Sequence, residues 1–384
     1  MRRPAPAAMA ALLLAPPLLA ACTITSDTVQ DEAVTTGSSA ARSTAGVTSS
    51  PPEGATATRP VPAPTPQDPG PAAAALALAP VDTAYLTVTD WAAIKERLGA
   101  GGLTSESLQT DTLEFWRSVG SSTVLLTDGA LRGENSRLRL RHGLTQDDVL
   151  WEVRWAGESG GEGDGLALRL RDDLDLAGLR RAVAEEVPGV AGAEVVAGEQ
   201  LLLRGAAGPE GALAASEPMA ALLDGEAAES RLAAPGCLSW LTALGVDADV
   251  EEQEAVVAGA AVEDLLEPQA WGMSFTGRSA TLTVVHGEGL EQEAVEADAA
   301  ARVALAEGWP TTEGVGWVDA FGLPRGLAEG SDAGYVVAEQ GGRVVTTIDY
   351  RVLNPTAAAG VALAGLVPGA VCAEVDWLAE PTGL

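Results

Sequence analysis

Few residues of this sequence belong to the types that enzymes use for acid–base or nucleophilic chemistry. The chain has two histidines, His142 and His286, and a single lysine, Lys95. No HExxH zinc motif, GxSxG elbow or SxxK pair accompanies them. His286 keeps the parity of the apolar residues at the end of a predicted strand, which favours a place at the core edge, and the glycine after His142 predicts a loop. We therefore predict neither as a catalytic residue.

Carboxylates are abundant, with 54 Asp and Glu residues, so no pair of them stands out. The densest groups are Glu158, Glu162 and Asp164, and then Asp247, Asp249, Glu251 and Glu252. Calcium requires oxygen ligands, but neither group has the spacing of an EF-hand loop. The Gly-rich tracts match neither a P-loop nor a dinucleotide-binding fingerprint. We interpret the acidic groups as solvated turns and predict no metal site and no cofactor.

The N-terminus carries the most specific motif of the chain. Arg2 and Arg3 precede an apolar stretch, residues 5–18, that runs into Leu19-Ala20-Ala21-Cys22. This order resembles the bacterial lipobox, which implies export, removal of residues 1–21 and lipidation of Cys22. The alternatives are an ordinary signal peptide or an uncleaved helix, but prolines interrupt the stretch and make it a poor membrane span. The resemblance predicts a protein anchored on the outer face of the cell membrane.

The two other cysteines, Cys237 and Cys372, form an even pair once Cys22 is acylated. Disulfides persist in oxidising compartments outside the cytoplasm, so we predict a structural bridge between the two. Two buried thiols or a redox-active pair are the alternatives, although no CxxC spacing supports redox chemistry.

The net charge of the chain limits the partners that the protein can bind. The formal net charge is −31 at pH 7. Phosphate backbones and anionic lipid head groups repel a chain of this charge, which excludes nucleic acid as a partner. The expected partners are the membrane, through the lipid on Cys22, and a component of the cell envelope or another protein.

Residues 22–79 are rich in Pro, Ser, Thr and Ala and contain few large apolar residues. Such a segment buries too little apolar surface to fold, so we predict a disordered linker. Alternation and helical periodicity begin at Thr83, where a strand precedes a helix with Asp90 as its N-cap and Gly99 at its end. A second helix is predicted over residues 107–119, with Leu108 and Phe115 on its apolar side.

The folded region contains two stretches with the same order of elements. Strands near Val149 and Leu166, a helix over 176–187 and strands over 193–197 and 200–204 are predicted in the first half, residues 80–240. The second half, residues 241–384, repeats this order with strands near Trp271 and Leu282, a helix over 290–307 and strands over 334–339 and 343–353. Asn354-Pro355 begins a last helix, and the apolar run over 357–371 favours a buried helix over a membrane span. The pattern predicts an α+β fold with antiparallel sheets and helices packed on one face.

Aromatic composition offers one further signal, because nine residues are tryptophan. Trp91, Trp151, Trp155 and Trp271 lie in phase with aliphatic residues and are predicted core. Trp309, Trp317 and Trp377 have no clear place, and an exposed indole among them would suit sugar stacking.

Residues 142–149, His-Gly-Leu-Thr-Gln-Asp-Asp-Val, resemble a segment of uncharacterised hypothetical lipoproteins of high-GC Gram-positive bacteria. That family carries no assigned activity, and residues 145–148 also suit a capping turn. The leading hypothesis is a lipoprotein with a non-enzymatic binding or envelope-interaction role. An envelope hydrolase with paired carboxylates and a carrier for lipid or a small solute are the alternatives.

Overall fold

The computed structural model describes residues 70–157, 164–245, 248–309, 316–322, 324 and 334–375. These residues belong to one compact unit whose strands form a single antiparallel sheet, in the order β4-β5-β3-β2-β1-β6-β7-β8-β10-β9. The strands are β1 (Thr83–Asp90), β2 (Val149–Gly157), β3 (Gly165–Leu170), β4 (Glu194–Val196), β5 (Leu201–Arg204), β6 (Ser230–Pro235), β7 (Ala270–Thr276), β8 (Ser279–Val285), β9 (Tyr335–Gln340) and β10 (Arg343–Arg351).

Helices connect the strands and cover the sheet. They are α1 (Gly70–Leu78), α2 (Trp91–Arg97), α3 (Gln109–Ser122), α4 (Asn135–His142), α5 (Ala177–Ala184), α6 (Glu217–Leu223), α7 (Trp240–Leu244), α8 (Val250–Gly259), α9 (Gln292–Gly308), α10 (Trp317–Ala320) and α11 (Pro355–Leu363). The predicted α+β class with an antiparallel sheet is confirmed.

The sheet consists of two halves with the same topology. From the centre outwards, β1, β2, β3, β5 and β4 follow the same order as β6, β7, β8, β10 and β9. In each half one long connection, α5 or α9, leads from the third strand to the fourth. The central strands β1 and β6 pair antiparallel, as an approximate twofold axis through this pair would produce. The two predicted strand-strand-helix-strand-strand stretches are therefore present, and each is preceded by one further, central strand, β1 or β6.

Strand β6 escaped sequence-based prediction because it is buried on both faces. Its side chains from Ser230 to Ala234 are all buried, so the alternation typical of a half-buried strand is missing. Arg231 is tolerated there because its guanidinium donates to the carbonyl oxygen of Leu223, at 3.0 Å, and to that of Glu226.

Apolar residues form a core on each face of the sheet. Helices α2–α5 pack on the outer strands of the first half, and α7–α11 pack on the second half. Both groups lie on the same face of the sheet. The register shows this, since Thr87 pairs with Arg154 of the first half and with Leu232 of the second, and directly paired side chains point to one face. On the opposite face α1 and α6 cover the centre. Helix α1 lies inside the predicted linker, so the folded region starts at least ten residues earlier than expected. Its small residues Ala74 and Ala75 are buried, although their composition alone indicates a spacer.

Several helix ends follow the predicted chemistry. The Asp90 carboxylate accepts a hydrogen bond from the Ala93 amide at 2.9 Å, and Gly99 takes the left-handed conformation with φ of 70°. Asn354 caps α11, the helix that contains the first part of the apolar run near the C-terminus. Most residues of α11 are buried. None of the described helices combines the length and the hydropathy that a membrane span requires.

Candidate functional site

The strongest arrangement of catalytic residue types surrounds His286, and its geometry argues for structure. His286 Nε2 lies 2.8 Å from Thr346 Oγ1 and 3.8 Å from Asp298 Oδ2. A catalytic triad requires the carboxylate and the nucleophile on opposite ring nitrogens, whereas here both face Nε2. The side chains of His286 and Asp298 are fully buried. Burial lowers the pKa of His286 to about 4, against the opposing effect of Asp298, so the ring is neutral at pH 7.

Arg302 completes this cluster and joins α9 to the C-terminal segment. Its Nε donates to Asp298 Oδ2 at 2.8 Å, and its other nitrogens donate to the carbonyl oxygens of Gly369, Val371 and Leu266. Asp298 also accepts from the Leu266 amide at 2.7 Å. The charges of Asp298 and Arg302 are therefore balanced within the protein, whereas buried His286 Nδ1 makes no hydrogen bond among the described residues.

The prediction that His142 lies in a loop is wrong, because His142 is the last residue of α4. It follows buried Leu138 by four residues and so shares the inner side of the helix, which ends at Gly143 with φ of 72°. Its Nε2 is 3.6 Å from Glu185 Oε2, and its carbonyl oxygen touches α5 where Gly178 leaves room. The two histidines thus stand in separate halves and do not form a joint site.

Residues 145–148 form a buried turn with a capping box, as the sequence predicts. The Thr145 side chain caps the turn, and the Asp148 carboxylate accepts from the Thr145 amide at 2.8 Å, from the Ser105 amide and from Arg171. Gln146 accepts from the Leu131 amide through its side chain. This turn therefore joins the loops of the first half.

Lys95 belongs to the same network. Its Nζ donates to the carbonyl oxygens of Asp147, at 2.5 Å, and Val149, at 3.1 Å. Burial lowers the pKa of Lys95 to about 8, opposed by Asp147 and Asp148. The Asp147 carboxylate accepts from Trp116 Nε1, and burial raises its pKa. Lys95 is 4% exposed, so its ammonium group stabilises the turn and does not reach a surface substrate.

The acidic groups of the sequence also have structural explanations where they are described. Asp249 and Glu252 form the capping box that begins α8. Asp164 is exposed at the start of β3, while Glu158, Glu162 and Asp247 lie outside the described residues.

The predicted disulfide between Cys237 and Cys372 is present, with a Cα–Cα distance of 4.9 Å. Glu267 lies beside it, with Oε1 3.0 Å from Cys237 Sγ and Oε2 accepting from the Ala373 amide. The two sulfurs and this carboxylate are close enough to hold a metal ion, but sulfurs joined in a disulfide offer no thiolate ligand. Cys22 lies outside the described residues.

Tryptophan offers no sugar-binding platform in the described part of the chain. Trp91, Trp151, Trp155 and Trp271 are core residues, as predicted, and Trp309 and Trp317 are also buried. Trp116 is half-buried against Trp91, with the Arg132 guanidinium 4.2 Å from its ring centre. Trp377 lies outside the described residues.

An open cleft of about 420 Å³ lies between the end of α2 and one side of α3. Its apolar lining comes from Leu98, Leu103 and Phe115, and its rim carries exposed Asp111 and Glu114. Both carboxylates lie on one side of one helix instead of facing each other across the cleft, so they do not match the paired geometry of a glycosidase. The helical spacing of Ser107, Asp111 and Glu114 beside Phe115 was visible in the sequence, but the opposite wall from α2 was not.

We compared the chain with protein-family models, with curated proteins and with solved structures, and none of them matches it.

Proposed function

We propose that this protein is a lipid-anchored protein of the bacterial cell envelope whose folded region binds a partner outside the cytoplasm. The lipobox-like sequence ending at Cys22 supports the anchor. The Cys237–Cys372 disulfide agrees with an oxidising compartment.

The cleft between α2 and α3 carries the binding part of the proposal. Partly exposed Leu98 offers apolar contact area, and Asp111 and Glu114 add negative charge at the rim. The end of α2 lines the cleft through Leu98 and Gly99. A ligand or partner segment with an apolar part and a positively charged group fits this combination. The buried charges of Lys95 and Arg302, in contrast, are occupied within the protein.

The anchor is tested by Cys22→Ser. We expect the variant to incorporate no labelled palmitate and to lose its association with washed membranes, because the thioether-linked lipid is absent. The double variant Cys237→Ser/Cys372→Ser, which retains Cys22, is the control and should still be labelled. Palmitate labelling of Cys22→Ser at the wild-type level would refute the anchor.

The cleft is tested with three probes of equal chain length: hexylammonium, hexanol and hexanoate. We expect the protein to bind them in that order, as followed by NMR shifts of residues around Phe115. The double variant Asp111→Asn/Glu114→Gln should lose the preference for the cation by several-fold, because the rim loses both charges. Glu251→Gln/Glu254→Gln is the matched control, since it removes two exposed carboxylates with the same spacing from α8. Equal affinity for cation and anion in the wild type would contradict the assignment.

A further inference from the structure

Helix α4 presents an unusual outer side. Leu138 and His142 are buried, whereas Leu140 is 86% exposed, the highest value among the large apolar side chains of the described residues. With 100° between successive residues, Leu140 points away from the core, and Arg139 and Arg141 flank it. The helix therefore projects a leucine from the middle of a basic surface.

Helix α5 extends this basic surface. Its Gly178 contacts the carbonyl of His142, so α4 and α5 lie side by side, and their apolar residues face the same core. Neither helix contains an acidic residue, although together they hold five of the 23 basic residues of the chain. We call the following set the arginine face: Arg137, Arg139, Arg141, Arg180 and Arg181.

Among the described residues, most of the five arginines make no ion pair, although Glu134, Glu185 and Glu186 lie at the ends of the two helices. Within the described part of the chain, Arg141, Arg180 and Arg181 have no ion-pair partner, and all three are exposed. Arg137 reaches Glu134 and Glu185 only at 3.9 and 4.0 Å. Ion pairs of that length at the surface leave much of the positive charge available.

We propose that the arginine face and Leu140 form a membrane-contact surface for an anionic lipid bilayer. The proposal rests on the proposed function in one respect: a lipid on Cys22 would keep the domain near the bilayer and raise its effective concentration there. Guanidinium groups bind lipid phosphates, and a projecting leucine gains by entering the interfacial layer.

The overall charge of −31 does not prevent this contact. Screening at physiological salt acts over about 8 Å, so a bilayer that touches α4 and α5 responds mainly to the charges of those helices and their immediate neighbours. The sequence-based expectation of repulsion from anionic lipids applies to the rest of the surface.

The exposed side chain of Leu140 indicates that the partner of this surface is a lipid bilayer and not a soluble polyanion. A second exposed leucine, Leu108, follows Ser107, whose carbonyl oxygen accepts a hydrogen bond from Arg139 at 2.7 Å. Leu108 was predicted to face the core, but it is the residue before α3 and is 69% exposed. Two exposed leucines beside arginines add nothing to the binding of a hydrophilic polymer, whereas both can be buried in a lipid interface.

The test uses the mature chain, residues 22–384, with Cys22→Ser so that no lipid is attached. We expect it to sediment with vesicles of equal parts phosphatidylglycerol and phosphatidylcholine at low salt, but not with phosphatidylcholine alone. Arg141→Gln/Arg180→Gln/Arg181→Gln should weaken this binding by about tenfold or more, and Leu140→Ser by several-fold. Arg351→Gln and Leu363→Ser, two exposed positions elsewhere, are matched controls and should bind like the parent chain.

Three outcomes would overturn the proposal: no binding to the anionic vesicles, equal binding by the triple arginine variant, or full binding by Leu140→Ser together with competition by inorganic polyphosphate. The last would assign the surface to a soluble polyanion. Because the chain carries no lipid, failure here leaves the Cys22 anchor untouched, and that anchor is judged by palmitate labelling alone.

Discussion

Asp298→Asn should lower the free energy of unfolding by about 3–5 kcal/mol, which is the usual loss when one partner of a buried ion pair is removed. Asp298 and Arg302 have no exposed side-chain surface. Without the carboxylate, the Arg302 guanidinium keeps its carbonyl partners but loses its counter-charge in a fully buried position. The nearby His286 ring does not compensate, because it is neutral.

Urea unfolding of the mature Cys22→Ser chain measures this effect. Glu217→Gln provides the comparison, since it removes one of the two carboxylates that pair with Arg343, and Glu217 is 73% exposed. Surface pairs contribute about 0–1 kcal/mol, so this control should unfold close to the parent. If Asp298→Asn also unfolded within about 1 kcal/mol of the parent, the carbonyl oxygens alone would be sufficient to hold Arg302.

Removal of the Cys237–Cys372 bridge should cost a similar amount, about 2–5 kcal/mol. The bridge spans 135 residues, and in the chain-entropy model a loop of that length stabilises by about 5 kcal/mol. Beside it, the Leu238 amide donates to Ala370 and the Cys372 amide to Leu238, so the bridge also holds a short parallel contact between two distant segments.

Unfolding with and without dithiothreitol measures the bridge directly. The reductant should destabilise the parent but leave Cys237→Ala/Cys372→Ala unchanged, and the reduced parent should match that variant. An unchanged parent with both thiols open to alkylation would contradict a stabilising bridge.

The sequence predicted those strands in which large apolar residues alternate with polar ones. In β2, Trp151, Val153 and Trp155 alternate with Glu152 and Arg154, and β1 begins at Thr83 as expected. Helix starts were also accurate where a side chain caps them, as at Asp90 and Asn354. The bridge followed from parity of the cysteines once Cys22 was set aside.

Other features depend on contacts that no local pattern contains. Strand β6 lacks alternation because both faces are covered, and α1 consists of Gly, Pro, Ala and Leu that resemble the preceding spacer. The cleft requires α2 and α3 to meet, and the arginine face requires α4 and α5 to pack together. The sequence shows the residues of the cleft and of the arginine face, but it does not show which helices pack against each other.

The position of β1 has a mechanical consequence. A pull on the chain before Gly70 is transmitted through α1 into β1, which is hydrogen-bonded to β2 on one side and to β6 on the other. The disulfide lies just beyond the end of β6, at Cys237. A load from a surface tether would therefore have to shear a central strand from two neighbours at once, whereas the edge strands β4 and β9, which could be unzipped one bond at a time, lie off the path of the force.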